Sequence, residues 1–326
     1  MTTTSRHRLL FAAASVAAVA AATAAPAQEN TIDYPVDTVR LITHSSPGGG
    51  GDVLLRDILP YLTEMMPDVT FIVENVVGGS SATALAELAQ GPNDGSLIYT
   101  TTPTFIYTSL LSDLDFDHED VDGLVNMFFD PQVLFTRADS PLNTFEDVLA
   151  AAREGGQVWG AASPGSLERI KLEQLKQITE VDVAIATTEG GGETMLNVLN
   201  GTFDLALGEL LEITSQIEAG ELKLIAFFTE DRIETYPDVP TLSESGIDLV
   251  IEKFRGFASP PDLAPEAIAA WEQIVPRLLE EPAYVEHYSA SNLQPAFMPH
   301  EETEAFLEAF TEETASSLSA LGLIQE

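Results

Sequence analysis

The sequence predicts an α/β protein of two lobes, each a mostly parallel sheet flanked by helices, with a cleft between them. Short β-rich runs alternate with amphipathic helical runs, the pattern of sheets built from crossover units. The chain has 326 residues, more than one compact core usually organises. Four times a strand feeds a small-residue loop and then a helix, at Gly48, Gly78, Gly165 and Gly190, with no tandem repeat of fixed period.

The elements follow in chain order. Residues 1–27 read as a secretory signal: Arg6, His7 and Arg8 are basic, Leu9 to Ala22 are apolar, and Ala25-Pro26-Ala27 is a small-x-small cleavage site. The apolar run is short and alanine-rich for a membrane anchor, and His7 breaks a twin-arginine pair. Val39–Thr43 is the first strand. Val53–Met65 is helical, with Leu54, Leu55, Ile58, Leu59 and Leu62 on one face, and Pro60 is expected to kink or shorten it. Val69–Glu74 is the second strand, followed by Gly78-Gly79-Ser80-Ser81 and a short helix through Ala89. Pro92-Asn93-Asp94-Gly95 turns the chain into a strand over Ser96–Thr100.

A second lobe starts near Asp130-Pro131. Val133–Arg137 is a strand, Thr144–Arg153 a capped helix and Gln157–Ala162 another strand. After Ser163-Pro164-Gly165-Ser166 comes a helix with Leu167, Ile170, Leu175 and Ile178 inward. Val183–Ile185 leads into Gly190-Gly191-Gly192 and a helix ending at Asn200-Gly201. Strands at Phe203–Leu207 and Leu222–Phe227 complete the lobe, and Tyr236 to Leu242 form a proline-fixed connection. Helices around Pro265–Glu280 and His300–Leu321 end the chain. The expected division is residues 28–129 plus 254–326 for the first lobe and 130–253 for the second, the return crossing falling between Phe228 and Arg255.

Charge narrows the partners. Against 52 acidic residues stand 14 basic ones, a formal charge of −38. A nucleic-acid partner needs a basic face, and an anionic membrane surface is disfavoured for the same reason. With 45% hydrophobic residues the chain is no disordered acidic tail. The acid excess reads as a solvated surface suited to salty surroundings, where screening limits self-repulsion. There is no cysteine, so disulfide and thiol chemistry are excluded.

The loop Ser46-Pro47-Gly48-Gly49-Gly50-Gly51 before a helix is a cradle for a small anion, because glycine bares the main chain and the helix start offers unpaired N–H groups. Its spacing fails the dinucleotide fingerprint, since a third glycine would have to stand at Val53, and it lacks the Gly-Lys-Ser/Thr ending of a P-loop. His44 and Ser45 are adjacent on an extended segment and point to opposite faces, which argues against a serine hydrolase, as does the missing G-x-S-x-G elbow. The acidic loop Asp113 to Gly123 lacks the sixth-position glycine and twelfth-position acid of a calcium loop and reads as solvated. No histidine–carboxylate cluster has zinc spacing, and neither a metal nor a cofactor is expected.

Several motifs together resemble the receptors of tripartite tricarboxylate transporters, the Bug-type periplasmic proteins. They are Tyr34-Pro35, Pro47 to Asp52 with Arg56, Val73-Glu74-Asn75 with Gly78, Asp94-Gly95-Ser96-Leu97, Gly165-Ser166, and Gly190 with Gly201 and Asp204. Pro237-Asp238-Val239-Pro240-Thr241-Leu242-Ser243-Glu244-Ser245-Gly246 is the most specific piece. The resemblance spans nearly the whole mature chain and implies a type II periplasmic-binding-protein fold that closes on a small organic carboxylate. It also implies delivery to the membrane components of a tripartite tricarboxylate transporter. A carboxylate-sensing receptor is the alternative, and an exported hydrolase a more distant one; a monomer is expected.

Carried over, the ligand loops are Ser46 to Gly50 and Ser163 to Ser166. Ser45, Ser46, Pro47, Gly48, Gly49, Gly50, Asp52, Thr101, Thr102, Ser163, Gly165, Ser166, Arg169, Thr188, Gly190 and Asp204 are the expected ligand-binding residues. The chain departs from the family pattern at His44-Ser45, where Pro-Phe is usual, at Arg169, where His is common, and at Thr187-Thr188-Glu189-Gly190, where Pro-Tyr-Lys-Gly is usual. Arg169 either reaches a ligand carboxylate or pairs with Glu173 one turn on.

Overall fold

The structure is a computed structural model that describes residues 31–251 and 253–324. The signal segment read over residues 1–27 lies outside the described residues. The first half builds β1 (Thr38–Thr43), α1 (Gly50–Met65), β2 (Thr70–Asn75), α2 (Ala82–Ala89), β3 (Leu97–Thr101), α3 (Thr104–Leu111) and β4 (Asp122–Asp130). With only Pro131 between, β5 (Gln132–Arg137) opens a second sheet. There follow α4 (Phe145–Glu154), β6 (Val158–Ala161), α5 (Leu167–Thr179), β7 (Ala184–Thr187), α6 (Gly191–Leu199), β8 (Leu205–Glu209), α7 (Leu210–Glu218) and β9 (Leu222–Phe227). The chain then returns to the first sheet as β10 (Lys253–Ser259), α8 (Pro265–Glu280), α9 (Pro282–Ala290), β11 (Gln294–Met298) and α10 (His300–Ala320).

The two sheets share one plan. The first has the order β11-β4-β10-β3-β1-β2 and the second β7-β6-β8-β5-β9. In each, the first strand lies inside, the second outside it, the third on its other flank, and a reversed strand is inserted before the fourth. The inserted strands are β10, by which the chain returns, and β5, by which it enters. Each sheet therefore contains a parallel part, β2-β1-β3 in one and β7-β6-β8 in the other, joined to antiparallel pairings made by β10 and β11 in the first and by β5 in the second. The recurring strand–loop–helix units occupy matching places in this plan. Gly48 after β1 corresponds to Gly165 after β6, and Gly78 after β2 to Gly190 after β7.

Local signals account for the elements. Helix α1 buries Leu54, Leu55, Ile58 and Leu62 completely, each contributing roughly 1.5–3 kcal/mol. That apolar face carries the helix through Pro60, which is exposed and does not shorten it, since α1 runs to Met65. Thr144 caps α4: its hydroxyl accepts the Asp147 N–H at 3.1 Å while the Asp147 carboxylate accepts the Thr144 N–H at 3.1 Å. In α5, Leu167, Ile170, Leu172 and Leu175 are buried, but Ile178, expected inward, is 48% exposed. It falls in the last turn, just before the left-handed cap at Glu180, where the chain leaves the core.

Tyr34 ties the chain start to the first lobe, donating to the Gly95 carbonyl at 2.8 Å and accepting the Trp271 indole N–H at 3.1 Å. Helix α10 reaches both cores. Phe306 and Phe310 meet Phe254 of β10 edge to face with ring centroids 5.5 and 5.1 Å apart, and further on Leu318 is buried among second-lobe residues such as Leu172 and Leu175.

Candidate functional site

The first glycine loop is braced from behind. Asp52 in the first turn of α1 accepts the Gly48 N–H at 2.9 Å, the Arg56 guanidinium at 2.9 Å and the Asn75 amide at 3.0 Å. Burial alone would raise this carboxyl, but Arg56, the Gly48 N–H and Asn75 together hold it below its ordinary value. The Asn75 amide also reaches the Ser45 carbonyl at 2.9 Å. Gly48 takes a positive φ of 81°, which only glycine adopts without strain. No side chain caps α1 at Gly49. The Gly51 N–H instead meets the Ser45 hydroxyl at 3.3 Å, and the Gly50 N–H meets a carboxyl from the other lobe, Glu212 Oε1, at 2.6 Å.

The loops of the two lobes meet crosswise. A methyl at Gly190 would strike Ser46, and one at Gly192 would press on the Pro47 and Gly48 backbone, so the loop after β7 faces the loop after β1. The Gly165 N–H donates to the Ser80 hydroxyl at 3.2 Å, and the Thr108 hydroxyl donates to the Ser80 carbonyl at 2.6 Å. The loop after β6 thus faces the loop after β2. Gly48–Gly51 has Gly190–Gly192 opposite it, not the Gly165-Ser166 loop, which is its counterpart within the sheet plan.

Beneath these loops lies a buried charge cluster. Lys253 and Arg255 point from one face of β10, two residues apart. Lys253 donates to Glu168 at 2.5 Å and to Glu209. Arg255 donates through Nε to Asp130 at 2.6 Å and through Nη2 to Glu209 at 2.5 Å. All five side chains are nearly or fully out of solvent. Burial pushes Asp130 up to about 6, despite Arg255 beside it. Burial would also raise Glu209, but Arg255 and Lys253 outweigh it and hold Glu209 ionised, well below its usual range. Glu212 hydrogen-bonds Glu209; desolvation first, and the Glu209 charge second, raise it well above a normal carboxyl. Glu212 is thus pushed toward its protonated form beside Glu209, while its Oε1 accepts the Gly50 N–H.

His44 completes the arrangement. Burial, reinforced by Lys253, lowers it to about 3, so the ring is neutral. The Tyr99 hydroxyl, whose own ionisation burial suppresses, and His44 Nδ1 are hydrogen-bonded at 2.5 Å. His44 lines the cavity of this site. The Ser45 hydroxyl accepts the Gly51 N–H.

These groups enclose a cavity of about 30 Å³ lined by His44, Ser45, Gly51, Thr102, Thr104, Ala162, Ser163, Glu168, Glu189, Gly190, Gly191, Glu209, Glu212, Lys253 and Arg255. Buried polar atoms in and around it have no protein partner: Ser46 Oγ, Thr102 Oγ1, Asp130 Oδ1, Glu168 Oε2 and Arg255 Nη1. A larger cavity of about 350 Å³ lies between α3 and α10, lined by Phe105, Ile106, Leu307 and rim acids such as Glu304 and Glu308. It touches none of the glycine loops. Among the described residues no three His, Asp or Glu side chains are grouped to hold a metal ion, and no helix is long and apolar enough to cross a membrane.

Of the residues singled out from sequence, Ser45, Thr102, Ser163 and Gly190 line the cavity, and Ser46, Pro47, Gly48, Gly49 and Gly50 border it at the inter-lobe contact. Asp52 stands behind its loop. Thr101 is buried in β3 opposite Gly256. Gly165 lies at the second crosswise contact, and Ser166 caps α5, accepting the Arg169 N–H at 3.2 Å. Thr188 braces its own loop through Thr194 at 2.8 Å. Arg169 lies off the cavity, paired with Glu173 at 3.5 Å. Asp204 lies at the start of β8, where it accepts the Val158 N–H at 2.7 Å and holds β6. In the acidic loop, Asp117 and Asp120 cap a single turn on themselves. Glu168, Glu209, Glu212, Lys253 and Arg255 were not foreseen. The one available signal was a pair of scarce bases inside the apolar run Lys253-Phe254-Arg255-Gly256-Phe257.

Two lobes with matched sheets, meeting through glycine loops over a polar cleft, define a two-lobed binding protein. A family profile described as tripartite tricarboxylate transporter family receptor matches residues 62–323, and the chain belongs to that family. Protein BugT of Bordetella pertussis is 23% identical over 305 residues, covering 91% of this chain and 93% of BugT. Among solved structures, R. palustris Rpa4515 with adipate has a TM-score of 0.83 at 21% identity, covering 89% of this chain and 99% of that one. MatC from Rhodopseudomonas palustris with bound malate has a TM-score of 0.78 at 18% identity, covering 87% and 98%. At these identities the solved structures establish likeness of fold.

Proposed function

We propose that this chain is a non-enzymatic extracytoplasmic receptor that captures a small organic carboxylate between its lobes. It passes that ligand to the membrane components of a tripartite tricarboxylate transporter. The observation that carries the reading is the Glu212 carboxyl from the second lobe accepting the Gly50 N–H at 2.6 Å. The start of α1 is thereby a point that takes a carboxyl group, through main-chain donors and the helix dipole rather than through a flexible base. The unpartnered Arg255 Nη1 offers a further donor nearby. Family membership supports the transport role, adipate and malate in two fold neighbours support the ligand class, and the signal segment supports export to the periplasm.

Lobe closure is the proposed capture step, with crosswise contact of the glycine loops as its end point. A ligand anion meets long-range repulsion from the acidic surface, screened over about 8–10 Å in ordinary salt, so association is expected to speed up with added salt. Thermal denaturation of the purified chain with adipate, malate and citrate tests the reading. A ligand at 100 times its Kd adds about 2.7 kcal/mol to stability, and mass spectrometry should recover it unaltered. Failure of every mono-, di- and tricarboxylate to raise the melting temperature would overturn the proposal.

A further inference from the structure

Glu212 crosses from the second lobe to the point at which a ligand carboxylate would dock. Its Oε1 accepts the Gly50 N–H at 2.6 Å, across 162 positions of sequence. The carboxyl is fitted to glycines on both sides. A methyl at Gly191 would run into the Glu212 carboxyl carbon and both its oxygens, and one at Gly49 would fall 3.7 Å from Oε1. The cavity alongside, about 30 Å³, has room for a water or two, whereas sites for small organic ligands usually run to about 300–1,000 Å³. A ligand carboxylate and the Glu212 carboxyl therefore cannot both stand at the start of α1.

The hold on Glu212 is slight. Lys253 and Arg255 bond Glu168, Glu209 and Asp130, and Glu212 has the Gly50 N–H and Glu209. Arg255 Nη1 stays unpartnered, although a methyl at Gly50 would lie only 2.8 Å from it. We infer that Glu212 is a competitor built into the chain: its carboxyl takes the ligand's place at the Gly50 N–H and ties the lobes together there, so that a ligand binds by displacing it. This rests on the carboxylate-receptor reading and adds the residue that sets its affinity. The latched form is not competent to bind, so the apparent affinity falls with the fraction of molecules it claims. An ionised acid has the means to displace it. Such an acid takes the Gly50 N–H and also a charge-assisted bond from Arg255 Nη1, a donor that Glu212 leaves unused.

Small-angle scattering of the full chain, with no ligand added, reads the latch. Glu212→Ala removes the carboxyl and should let the lobes part, giving a larger radius of gyration than wild type. Glu212→Gln keeps an oxygen that can accept from Gly50 and should stay as compact as wild type. Calorimetric titration with adipate, malate and citrate reads the competition. The acid that binds best should bind the alanine variant about fivefold or more tightly than wild type, and the glutamine variant within about twofold of wild type. A side chain that merely stabilised the fold would not tighten binding on removal. Equal or weaker binding by Glu212→Ala would overturn the inference and leave the carboxylate receptor standing. So would Glu212→Gln binding as tightly as Glu212→Ala, since charge and not position would then be the cause, and so would three superimposable scattering profiles. If no carboxylate binds any of the three proteins, the receptor reading falls, and the scattering comparison alone decides the latch.

Discussion

Arg255 of β10 donates its Nε–H to Asp130 of β4 at 2.6 Å, with both side chains wholly out of solvent. The residue at which the chain leaves the first sheet is therefore bonded to the strand by which it returns. Removing one partner strands the other as a buried charge, which typically costs 3–5 kcal/mol, whereas replacing both with apolar groups of similar volume is often nearly neutral. Arg255→Met is expected to lower the unfolding free energy by about 3–5 kcal/mol in urea, because Asp130 and Glu209 both lose a counter-charge. The double variant Asp130→Leu/Arg255→Met should regain much of that. A single variant costing under about 1 kcal/mol would show that the pair is weaker than its burial implies.

The cluster also sets a pH dependence. Asp130 and Glu212 have folded pKa values above their unfolded ones, so the folded chain binds the extra protons. Their stabilisation is complete below the ordinary carboxyl range and is lost as pH rises, from 3.8 through about 6 for Asp130 and from 4.5 upward for Glu212. Glu209 has the opposite sign: its contribution is present above 4.5 and is lost only as pH falls well below that. Stability should therefore fall as pH rises from 3.8 through about 6 on the Asp130 account, and upward from 4.5 on the Glu212 account. Glu212→Gln stays neutral and can still bond Glu209 and Gly50, so its urea midpoint should decline less across that range. Parallel profiles for the two proteins would rule this out.

Gly50→Ala sets two effects against each other. Alanine in the first turn of α1 should gain up to about 1 kcal/mol of helix propensity. Its methyl would collide with the Arg255 guanidinium and the Glu209 carboxylate, both held in the cluster, and overpacking a filled interior costs about 1–3 kcal/mol. The clash should win: a lower melting temperature and weaker carboxylate binding are expected. A more stable variant would mean that the cluster yields easily.

Tyr34→Phe removes the bond to the Gly95 carbonyl and the acceptor for the Trp271 indole. Trp271 is completely buried, and an unsatisfied buried donor costs about 1–3 kcal/mol. Guanidinium denaturation should show a loss in that range with the slope unchanged; a loss under a few tenths would mean that another group takes over the indole.

What sequence could reveal followed from how each residue advertises its surroundings. Strand β9 over Leu222–Phe227 and helix α8 over Pro265–Glu280 were legible to the residue, because one is a bounded apolar run and the other opens on a proline. The glycine loops were legible because bare backbone has few other uses before a helix. Strands β4 and β10 were not read, since Asp130, Lys253 and Arg255 interrupt runs that are nonetheless fully buried. Glu168, Glu209 and Glu212 were hidden by company: among 52 acidic residues an acid signals surface, and only the fold reveals that these three face two inward bases. Arg169 stands out as a departure from the family pattern, and of its two expected partners the structure shows Glu173.

The crosswise meeting of the loops has a mechanical corollary. Matching loops of the two sheets do not touch their own counterparts; each touches the other kind, at Gly190 against Ser46 and at Gly165 against Ser80. Two such stops on opposite flanks act as a gauge. The lobes can approach until the glycine backbone of one meets a small side chain of the other on both sides, and neither can tilt without opening one stop. Because glycine adds nothing to the gap, the closest approach at each stop is set by the glycine backbone and the small side chain that faces it. A single added methyl at Gly165 or Gly190 would act as a shim, widening the chamber while leaving its chemistry in place, and offers a one-residue route by which such a receptor could change the length of acid it accepts.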